Sequence, residues 1–346
     1  MTSANPVRPW CLPGLALANN LVQAPLAGFS SLPFRLLAWR YGRPGLLATE
    51  MISANALRQN PRAQAEYLAT SPEEGPVLFQ VWGAEAEALG LAAALVEEHG
   101  AAAVDLNCGC PVRKVRAAGA GSRLLENPPL LGQLVREMRR RTRLPLSVKI
   151  RLGPGPGRLN AVEVARVAEA EGVDWLTLHG RHAGESYGAP CRYDEIAKVV
   201  AAVRVPVVGN GDVRDGESAQ RMFATGVAGV MLGRAAMGAP WVFAKVRAEC
   251  AGERFVPPDL PAIGRIIMEH HDLLAQLLGS ERAIRHCRKL GAFYSRGFSG
   301  AREFRGRLSF CRDRAGLAGL VGEYFRDGAP LVNPQDNSRE GRAGGG

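Results

Sequence analysis

One cysteine of this sequence stands in a setting that indicates chemistry. Cys110 lies between a glycine and a proline in the run DLNCGCPVRKV, which begins at Asp105. Such a segment is extended, so the thiol is expected to be exposed and able to act as an acid or a nucleophile. A lone thiol on a loop is more often inert, and it is the polar and basic motif around Cys110 that favours a chemical role.

Charged and polar side chains lie in three other apolar runs. Lys149 and Arg151 end the strand-like part of LSVKIRLG, where residues two apart lie on one face of a strand. A charge on a buried strand is costly unless it meets an anion or a polar ligand, so Lys149 predicts a binding site. His179, in WLTLHGR, precedes an arginine by two residues, which favours ligand binding over a structural role. The amide of Gln80, in VLFQVWG, either bonds the edge of a heterocycle or caps a loop.

Glycine-containing turns follow the first apolar run and the last two. The turn APLAG, from Ala24 to Gly28, either lets a flat group approach the backbone or is a plain connection. The turns GNGD and GRAA end the last two runs, a position at which barrel enzymes bind phosphate. The backbone amides expected to hold a phosphate, with the charge of the arginine, are those of Gly211, Asp212, Gly233 and Arg234. Together the two turns predict a phosphorylated cofactor.

A regular framework must position these side chains, and eight apolar runs supply it. The runs recur about every 25 to 30 residues and begin at Leu21, Leu46, Val77, Ala102, Leu146, Trp175, Pro206 and Gly229. Apolar runs without alternation are typical of parallel strands buried on both faces, and helical segments separate them. We therefore predict an α/β protein with a (β/α)8 TIM barrel at residues 13–245, whose chemistry lies at the C-terminal ends of the strands. An open doubly wound sheet is the alternative, disfavoured by the even spacing and by the lack of GxGxxG after the first run.

The pattern changes after the barrel. Three helical stretches at 259–278, 281–296 and 300–325 predict a small all-helical C-terminal domain at 258–328, and the polar tail at 333–346 is expected to be disordered. The protein has a net charge of +10 and a pI near 9.6. Between Glu281 and Arg314 ten basic residues stand against three acidic ones. This segment predicts RNA binding, and the alternative is a solvated arginine-rich face.

Composition excludes several classes of protein. A hydrophobic fraction of 47% and a charged fraction of 22% are those of a globular protein rather than a disordered one. No apolar run is long enough to span a membrane, and the first residues lack the pattern of a secretory signal, so we expect a cytoplasmic protein. The seven cysteines show no CxxC spacing, which predicts neither disulfides nor a zinc site. We expect no bound metal and a monomer.

Together these segments resemble the tRNA-dihydrouridine synthases, most closely the bacterial B-type branch, over residues 13–326. The matching pieces are APLAGFSSLPFR, TEMISANAL, FQVWG, DLNCGCPVRKVRAAGAGSRLL, VKIRLG, TLHGR, VVGNGDV, MLGRAAMGAPWVF and, similar to the family's RNA-binding helix, RAIRHCRKLGAFYSRG. The block NxGCP…KV…GS is specific to this family, whereas many flavin barrels share the Gly-Arg phosphate motif.

The resemblance implies an FMN-dependent enzyme that reduces uridine to 5,6-dihydrouridine in tRNA, with NADPH reducing the flavin. By position, Cys110 would protonate C5 of uracil while flavin N5 delivers hydride to C6, and Asn107 would bind the base. Contacts with the substrate are further implied for Lys149, His179, Arg285, Arg288 and Lys289. Contacts with FMN are implied for Pro25, Leu26, Ala27, Gln80, Lys149, His179, Asn210, Gly211, Asp212, Gly233 and Arg234.

Two departures from the family pattern leave the exact substrate open. Cys108 stands where relatives usually have Met or another apolar residue, and in the loop after His179 an expected Arg and Asp are replaced by Ala183 and Arg192. The alternatives are the same chemistry on ribosomal RNA, a flavin barrel acting on a small molecule, and an RNA-binding factor without catalysis. The basic helical segment argues against a small substrate, and the residues Asn107, Cys110, Lys149 and His179 argue against a loss of catalysis.

Overall fold

The computed structural model describes residues 5–326, so the predicted tail at 333–346 and the last two residues of the predicted helical domain lie outside it. Its strands are β1 Trp10–Leu12, β2 Leu15–Leu17, β3 Leu21–Gln23, β4 Leu47–Ala48, β5 Ile52–Ser53, β6 Val77–Trp82, β7 Ala103–Cys108, β8 Leu146–Arg151, β9 Trp175–His179, β10 Val207–Asn210 and β11 Gly229–Leu232. Its helices are α1 Leu32–Gly42, α2 Ala54–Gln59, α3 Ala65–Leu68, α4 Ala86–Glu98, α5 Arg113–Ala117, α6 Pro128–Arg141, α7 Ala161–Ala170, α8 Tyr193–Ala202, α9 Gly216–Phe223, α10 Val242–Cys250, α11 Leu260–Leu278, α12 Ser280–Tyr294, α13 Ala301–Leu308 and α14 Arg314–Tyr324.

All eight predicted strands form, and they lie side by side in one parallel sheet. Their order is β3-β11-β10-β9-β8-β7-β6-β4, and a bridge between Val22 and Leu46 joins the two ends of this order into a ring. The N–H of Gln23 also donates to the carbonyl of Leu46 at 2.9 Å. The prediction of a (β/α)8 TIM barrel is confirmed, and the alternative of an open sheet is wrong.

An N-terminal hairpin, which the sequence did not predict, covers one end of the barrel. β1 and β2 pair antiparallel, with Trp10 opposite Leu17. The Trp10 ring meets the ring of Trp175, the first residue of β9, edge-on at 6.0 Å. Both tryptophans belong to one apolar cluster with interior residues of the barrel strands such as Leu78 and Val208. Because the hairpin packs at the N-terminal ends of the strands, the polar strand ends lie at the opposite end of the barrel.

Helices follow the barrel strands where the sequence predicted them. α4, α6 and α7 each lie between two successive barrel strands, and α6 packs against both of the others. Asn127 caps α6 because its side-chain oxygen accepts from the N–H of Leu130 at 3.1 Å, and Pro128 occupies the first helical position. Within residues 5–326 no helix is long and apolar enough to cross a membrane.

Residues 237–240 and 256–326 belong to a second compact unit, built from α11, α12, α13 and α14. The third predicted helix is wrong as a single element, because it is two helices. The carboxylate of Asp313 accepts from the N–H of Gly316 at 2.8 Å and starts α14 as an N-cap, which interrupts the helix begun at Ala301. The rings of Phe304 and Tyr324 stack at 4.3 Å and hold the two helices together.

Candidate active site

Strand register brings polar residues from three neighbouring strands to one place. β7 pairs with β6 and β8, so that Asp105 lies between Gln80 and Ser147, and Asn107 lies beside Lys149. Successive side chains on a strand point to opposite faces, so Asp105 and Asn107 share one face of β7. Ala103, on the same face of β7, belongs to the apolar cluster inside the barrel, so this face is turned inwards.

Cys108, the second thiol of β7, does not belong to this group. It pairs with Ile150 in the register and lies on the face opposite to Asn107. Its side chain is fully buried, and burial raises the pKa of the thiol well above its ordinary value. This departure from the family pattern therefore places no second acid beside Cys110.

A chain of hydrogen bonds joins the interior residues to the loop after β7. Nε2 of Gln80 donates to Asp105 at 2.7 Å, and Nδ2 of Asn107 donates to Oε1 of Gln80 at 2.7 Å. The side-chain oxygen of Asn107 accepts from the backbone N–H of Cys110 at 2.9 Å and from that of Gly109 at 3.2 Å. The amide of Asn107 therefore anchors the loop that carries the predicted acid.

Cys110 is partly exposed on a backbone held from several sides. Its carbonyl accepts from the N–H of Ser122 at 3.0 Å, and the carbonyl of Gly109 accepts from Nε of Arg151 at 2.8 Å. Burial raises the pKa of the Cys110 thiol, while the charges of Arg151 and Lys149 lower it by smaller amounts. At neutral pH the side chain is thus a protonated thiol close to two cations.

Lys149 links the centre of the barrel to the end of β10. Its ammonium donates to Oδ1 of Asn210 at 3.1 Å, and Nδ2 of Asn210 donates to the carbonyl of Met231 at 2.9 Å. Burial, together with the charge of Arg151, lowers the pKa of Lys149 to about 8. Lys149 therefore remains a cation at pH 7, directed by Asn210.

His179, at the end of β9, is a neutral imidazole. Its Nε2 lies 3.2 Å from a nitrogen of Arg181, and because a guanidinium only donates, Nε2 accepts and the ring proton is on Nδ1. Burial, followed by the charge of Lys149, lowers the pKa of His179 far below its usual range. The free ring position is therefore a hydrogen-bond donor.

Tyr187, in the loop after β9, lies at the same end of the barrel. Its ring stacks on that of His179 with 6.2 Å between the centres, and the guanidinium of Arg234 lies 4.8 Å over it. Arg181 and Arg234 donate to its carbonyl at 3.2 and 3.3 Å. In this loop Ala183 is buried, and Arg192 forms a two-bond ion pair with Glu185 at 2.7 and 2.8 Å.

Backbone amides without acceptors lie at the ends of β10 and β11. In the described part of the chain, no acceptor is within hydrogen-bond reach of the N–H groups of Gly211, Asp212, Gly233 and Arg234. Gly211 has φ of 135° and Asp212 has φ of 56°, and residues other than glycine adopt positive φ only rarely. The carboxylate of Asp212 bonds Arg181 at 2.6 Å and Arg234 at 2.9 Å. We call these four amides the amide cradle; it fits an anion.

The turn after β3 lies beside the amide cradle. A side-chain carbon added to Gly233 would lie 3.6 Å from the side chain of Leu26. The N–H of Leu26 donates to Oγ of Ser30 at 2.8 Å, and the N–H of Gly28 donates to the carboxylate of Glu50. These bonds fix the turn that contains Pro25, Leu26 and Ala27, and its contact with a flat ring stays a prediction.

The three basic residues predicted to contact RNA all lie on α12 of the second unit. Arg285 is exposed and pairs with Glu281 one turn earlier, and Lys289 is also exposed. Arg288 is only half exposed, and its Nε donates to the carbonyl of Cys311 at 2.9 Å. Arg288 therefore supports the connection between α13 and α14, and its predicted contact with RNA stays a prediction.

Two residues of the site were not singled out from the sequence. Asp105 precedes Asn107 by two residues, so the period of two along a strand was the available signal. Tyr187 lies in an irregular loop, where no periodicity indicates which side chain turns towards the barrel. Its contacts with His179 and Arg234 are visible only in the structure.

The charges around the amide cradle suit a cofactor that carries a phosphate. The cations include Lys149, Arg151, Arg181 and Arg234, and the carboxylates are Asp105, Asp212 and, at the turn after β3, Glu50. The cations outnumber the carboxylates, and the cradle leaves its N–H groups available. In residues 5–326 no group of three or more His, Cys, Asp or Glu side chains is placed to hold a metal ion.

Comparison with known proteins gives one consistent match. The model of the family described as dihydrouridine synthase matches residues 22–325. The tRNA-dihydrouridine synthase B of Pseudomonas putida is 33% identical over 322 residues, covering 92% of this chain and 95% of that protein. The protein of the same name from Pseudomonas aeruginosa is 34% identical and covers 90% and 94%, and that from Shewanella oneidensis is 34% identical and covers 89% and 96%.

Proposed function

The chain belongs to the dihydrouridine synthase family, and on this premise we propose that it reduces uridine to 5,6-dihydrouridine in tRNA, with FMN as its cofactor and NADPH as the reductant. The names of its B-type relatives support tRNA as the substrate, and so does the basic segment of the helical unit. When bound, FMN would supply the hydride that C6 of uracil receives.

The setting of Cys110 is the observation that carries the proposal. An acid for C5 of uracil must hold its proton until the base arrives, and burial keeps this thiol protonated at neutral pH. Arg151 and Lys149 shift the pKa of the same thiol downwards, so they stabilise the thiolate that remains after proton transfer. Cys110 is therefore both protonated at rest and able to release its proton.

The residues around the barrel end divide the remaining tasks. The amide cradle and Arg234 would bind the phosphate of FMN, because the N–H groups there have no other acceptor in the described residues. Lys149, directed by Asn210, would place a positive charge at the polar edge of the ring system. His179 would donate from Nδ1, since Arg181 occupies Nε2. Further contacts with the ring are assigned to Pro25, Leu26, Ala27 and Gln80.

The target uridine has to leave its stack before it reaches the end of a barrel. Extrusion of a base costs a few kcal/mol, least for an unpaired one, so uridines in loops are favoured substrates. Cations that contact phosphates supply binding energy without reading sequence. We assign this role to the exposed Arg285 and Lys289 of α12.

Mass spectrometry of nucleosides tests the reaction. Unmodified tRNA incubated with the purified protein and NADPH is expected to gain dihydrouridine. Loss of a general acid removes about a 100- to 10,000-fold rate advantage, so Cys110→Ala should lower the rate by that order. Cys11→Ala is the matched control, because Cys11 is an exposed thiol in the hairpin at the other end of the barrel.

Each alternative gives a different result in the same assay. Full activity of Cys110→Ala would contradict the role of the thiol. Dihydrouridine in ribosomal RNA but not in tRNA would identify ribosomal RNA as the substrate. A yellow protein that oxidises NADPH but modifies no RNA would indicate a small-molecule substrate, and binding of tRNA without any flavin would indicate a binding factor.

A further inference from the structure

Asp105 is a carboxyl group buried at the centre of the barrel that no step of the proposed reaction uses. It is 1% exposed, and burial raises its pKa to about 6. One of its oxygens accepts from Nε2 of Gln80 at 2.7 Å, and the other accepts from the hydroxyl of Ser147. Burial of a carboxyl group is costly, so its presence calls for a function other than stability.

The polarity of the hydrogen-bond chain is determined at both of its ends. A carboxylate only accepts, so Gln80 must turn its NH2 group towards Asp105 and its oxygen towards Asn107. A backbone N–H only donates, so Asn107 must turn its oxygen towards Cys110 and its NH2 group towards Gln80. The two requirements agree, and each amide therefore has one permitted orientation.

We propose that Asp105 is a positioning residue for Cys110, which orients the amides of Gln80 and Asn107 and through them holds the loop of the acid. The carboxyl group of Asp105 bonds Gln80 and Ser147 rather than the loop of Cys110, and three hydrogen bonds separate it from the backbone of Cys110. The consequence for uridine reduction rests on the proposed function, whereas the orientation of the amides does not.

Removal of the acceptor at position 105 leaves the amides of Gln80 and Asn107 without a fixed orientation. Gln80 could then present its NH2 group to the NH2 group of Asn107, and these two donors repel. If Asn107 turned in response, it would present NH2 to the backbone N–H groups of Gly109 and Cys110. The loop would lose its anchor, although all residues that touch the reacting atoms are still present.

Two substitutions separate positioning from a general structural role. Asp105→Leu keeps the branching of the side chain, is somewhat larger and has no acceptor. Asp105→Asn keeps an oxygen for Nε2 of Gln80, and its own NH2 group faces Ser147, whose hydroxyl rotates to accept. Asp105→Ser replaces the leucine variant if that one fails to fold, because a shorter hydroxyl that donates and accepts does not orient Gln80.

The flavin-loaded variants are compared in three measurements: alkylation of Cys110 by iodoacetamide with peptide mass spectrometry, flavin reduction by NADPH, and dihydrouridine formation in tRNA. For Asp105→Leu we expect faster alkylation of Cys110 and dihydrouridine formation about 100-fold slower, the cost of misplacing a reacting group by about 1 Å. Flavin reduction should change far less, because Cys110 takes no part in it and Gln80 is only one of several residues assigned to the ring. Asp105→Asn is expected to behave as the wild type in all three.

Equal losses in both variants, or a parallel loss of flavin reduction, would overturn the proposal in favour of a structural or charge effect. Wild-type alkylation and turnover in Asp105→Leu would overturn it as well. If the wild-type protein forms no dihydrouridine, the proposed function fails, and the alkylation rates of Cys110 still decide whether Asp105 positions the loop.

Discussion

Replacement of Gly211 by alanine perturbs the amide cradle in two ways at once. The backbone of Gly211 has φ of 135°, which side-chain-bearing residues rarely adopt. An added Cβ would lie 2.6 Å from Sγ of Cys191, closer than real Cβ atoms approach, and 3.3 Å from its Cβ, which is a tight contact. The loop after β10 must therefore move, and with it the N–H groups of Gly211 and Asp212.

The size of the effect follows from these two contributions. An unfavourable backbone region costs about 1–3 kcal/mol, and overpacking costs about another 1–3 kcal/mol. Gly211→Ala is thus expected to lower the free energy of unfolding by about 2–6 kcal/mol. Because the displaced N–H groups are those assigned to the phosphate, the variant should also be purified with little flavin.

Matched substitutions separate the two contributions. Gly14 has φ of 72° and no atom within 4 Å of an added Cβ, so Gly14→Ala should show the backbone cost alone. Gly157 has open space and no positive φ, so Gly157→Ala should stay within about 0.5 kcal/mol of the wild type. Addition of Cys191→Ala to Gly211→Ala removes the contact at 2.6 Å. It should therefore restore the part of the free energy of unfolding that overpacking removes.

Urea unfolding and the ratio of flavin to protein absorbance measure both quantities. Flavin is expected to be lost in Gly211→Ala alone among the single variants, and to return in part in the double variant. Wild-type flavin content in Gly211→Ala would refute the assignment of the amide cradle. Equal destabilisation in Gly14→Ala and Gly211→Ala would refute the crowding by Cys191.

Two further predictions concern charge. Since burial lowers the pKa of Lys149 to about 8, the rate of uridine reduction should fall as the pH rises through about 8. In Lys149→Arg the same fall in rate should occur at higher pH, because a guanidinium keeps its charge. Identical pH–rate profiles of the two proteins would contradict a role for the charge of Lys149. Arg285→Glu and Lys289→Glu should weaken tRNA binding and reduce the slope of log K against log salt by about 0.7–0.9 for each phosphate that the protein no longer neutralises. Arg143→Glu is the control, because Arg143 is exposed in the loop before β8, at the end of the barrel opposite the candidate active site. The same salt slope in all three variants would contradict RNA binding by α12.

The barrel could be predicted because each of its strands is a continuous apolar run, and the spacing of eight such runs permits few folds. The hairpin β1–β2 could not, since its strands have only three residues each and depend on contacts such as that between Trp10 and Trp175. The break between α13 and α14 has a local cause in the cap at Asp313, but helix-forming residues on both sides obscure it.

The site shows the same division between local and non-local causes. Cys110, Lys149 and His179 could be predicted because each has an unusual residue type for its own segment. The contact between Asp105 and Gln80 depends on the register of β6 and β7, and residues 25 apart in sequence give no sign of that register. The position of Tyr187 depends on a loop conformation that Arg181 and Arg234 hold by their bonds to its carbonyl.

In the proposed reaction Cys110 keeps its proton at rest and releases it to the substrate, and different features of the loop favour these two states. Burial favours the thiol, whereas Arg151 and Lys149 favour the thiolate. Both influences depend on distance, and Arg151 reaches the loop through the carbonyl of Gly109 at 2.8 Å. A shift of the loop towards water would weaken both together. The balance between thiol and thiolate therefore depends on where the backbone of Cys110 is held, and the proposal that Asp105 holds it through three hydrogen bonds predicts that Asp105 affects the acid without touching it.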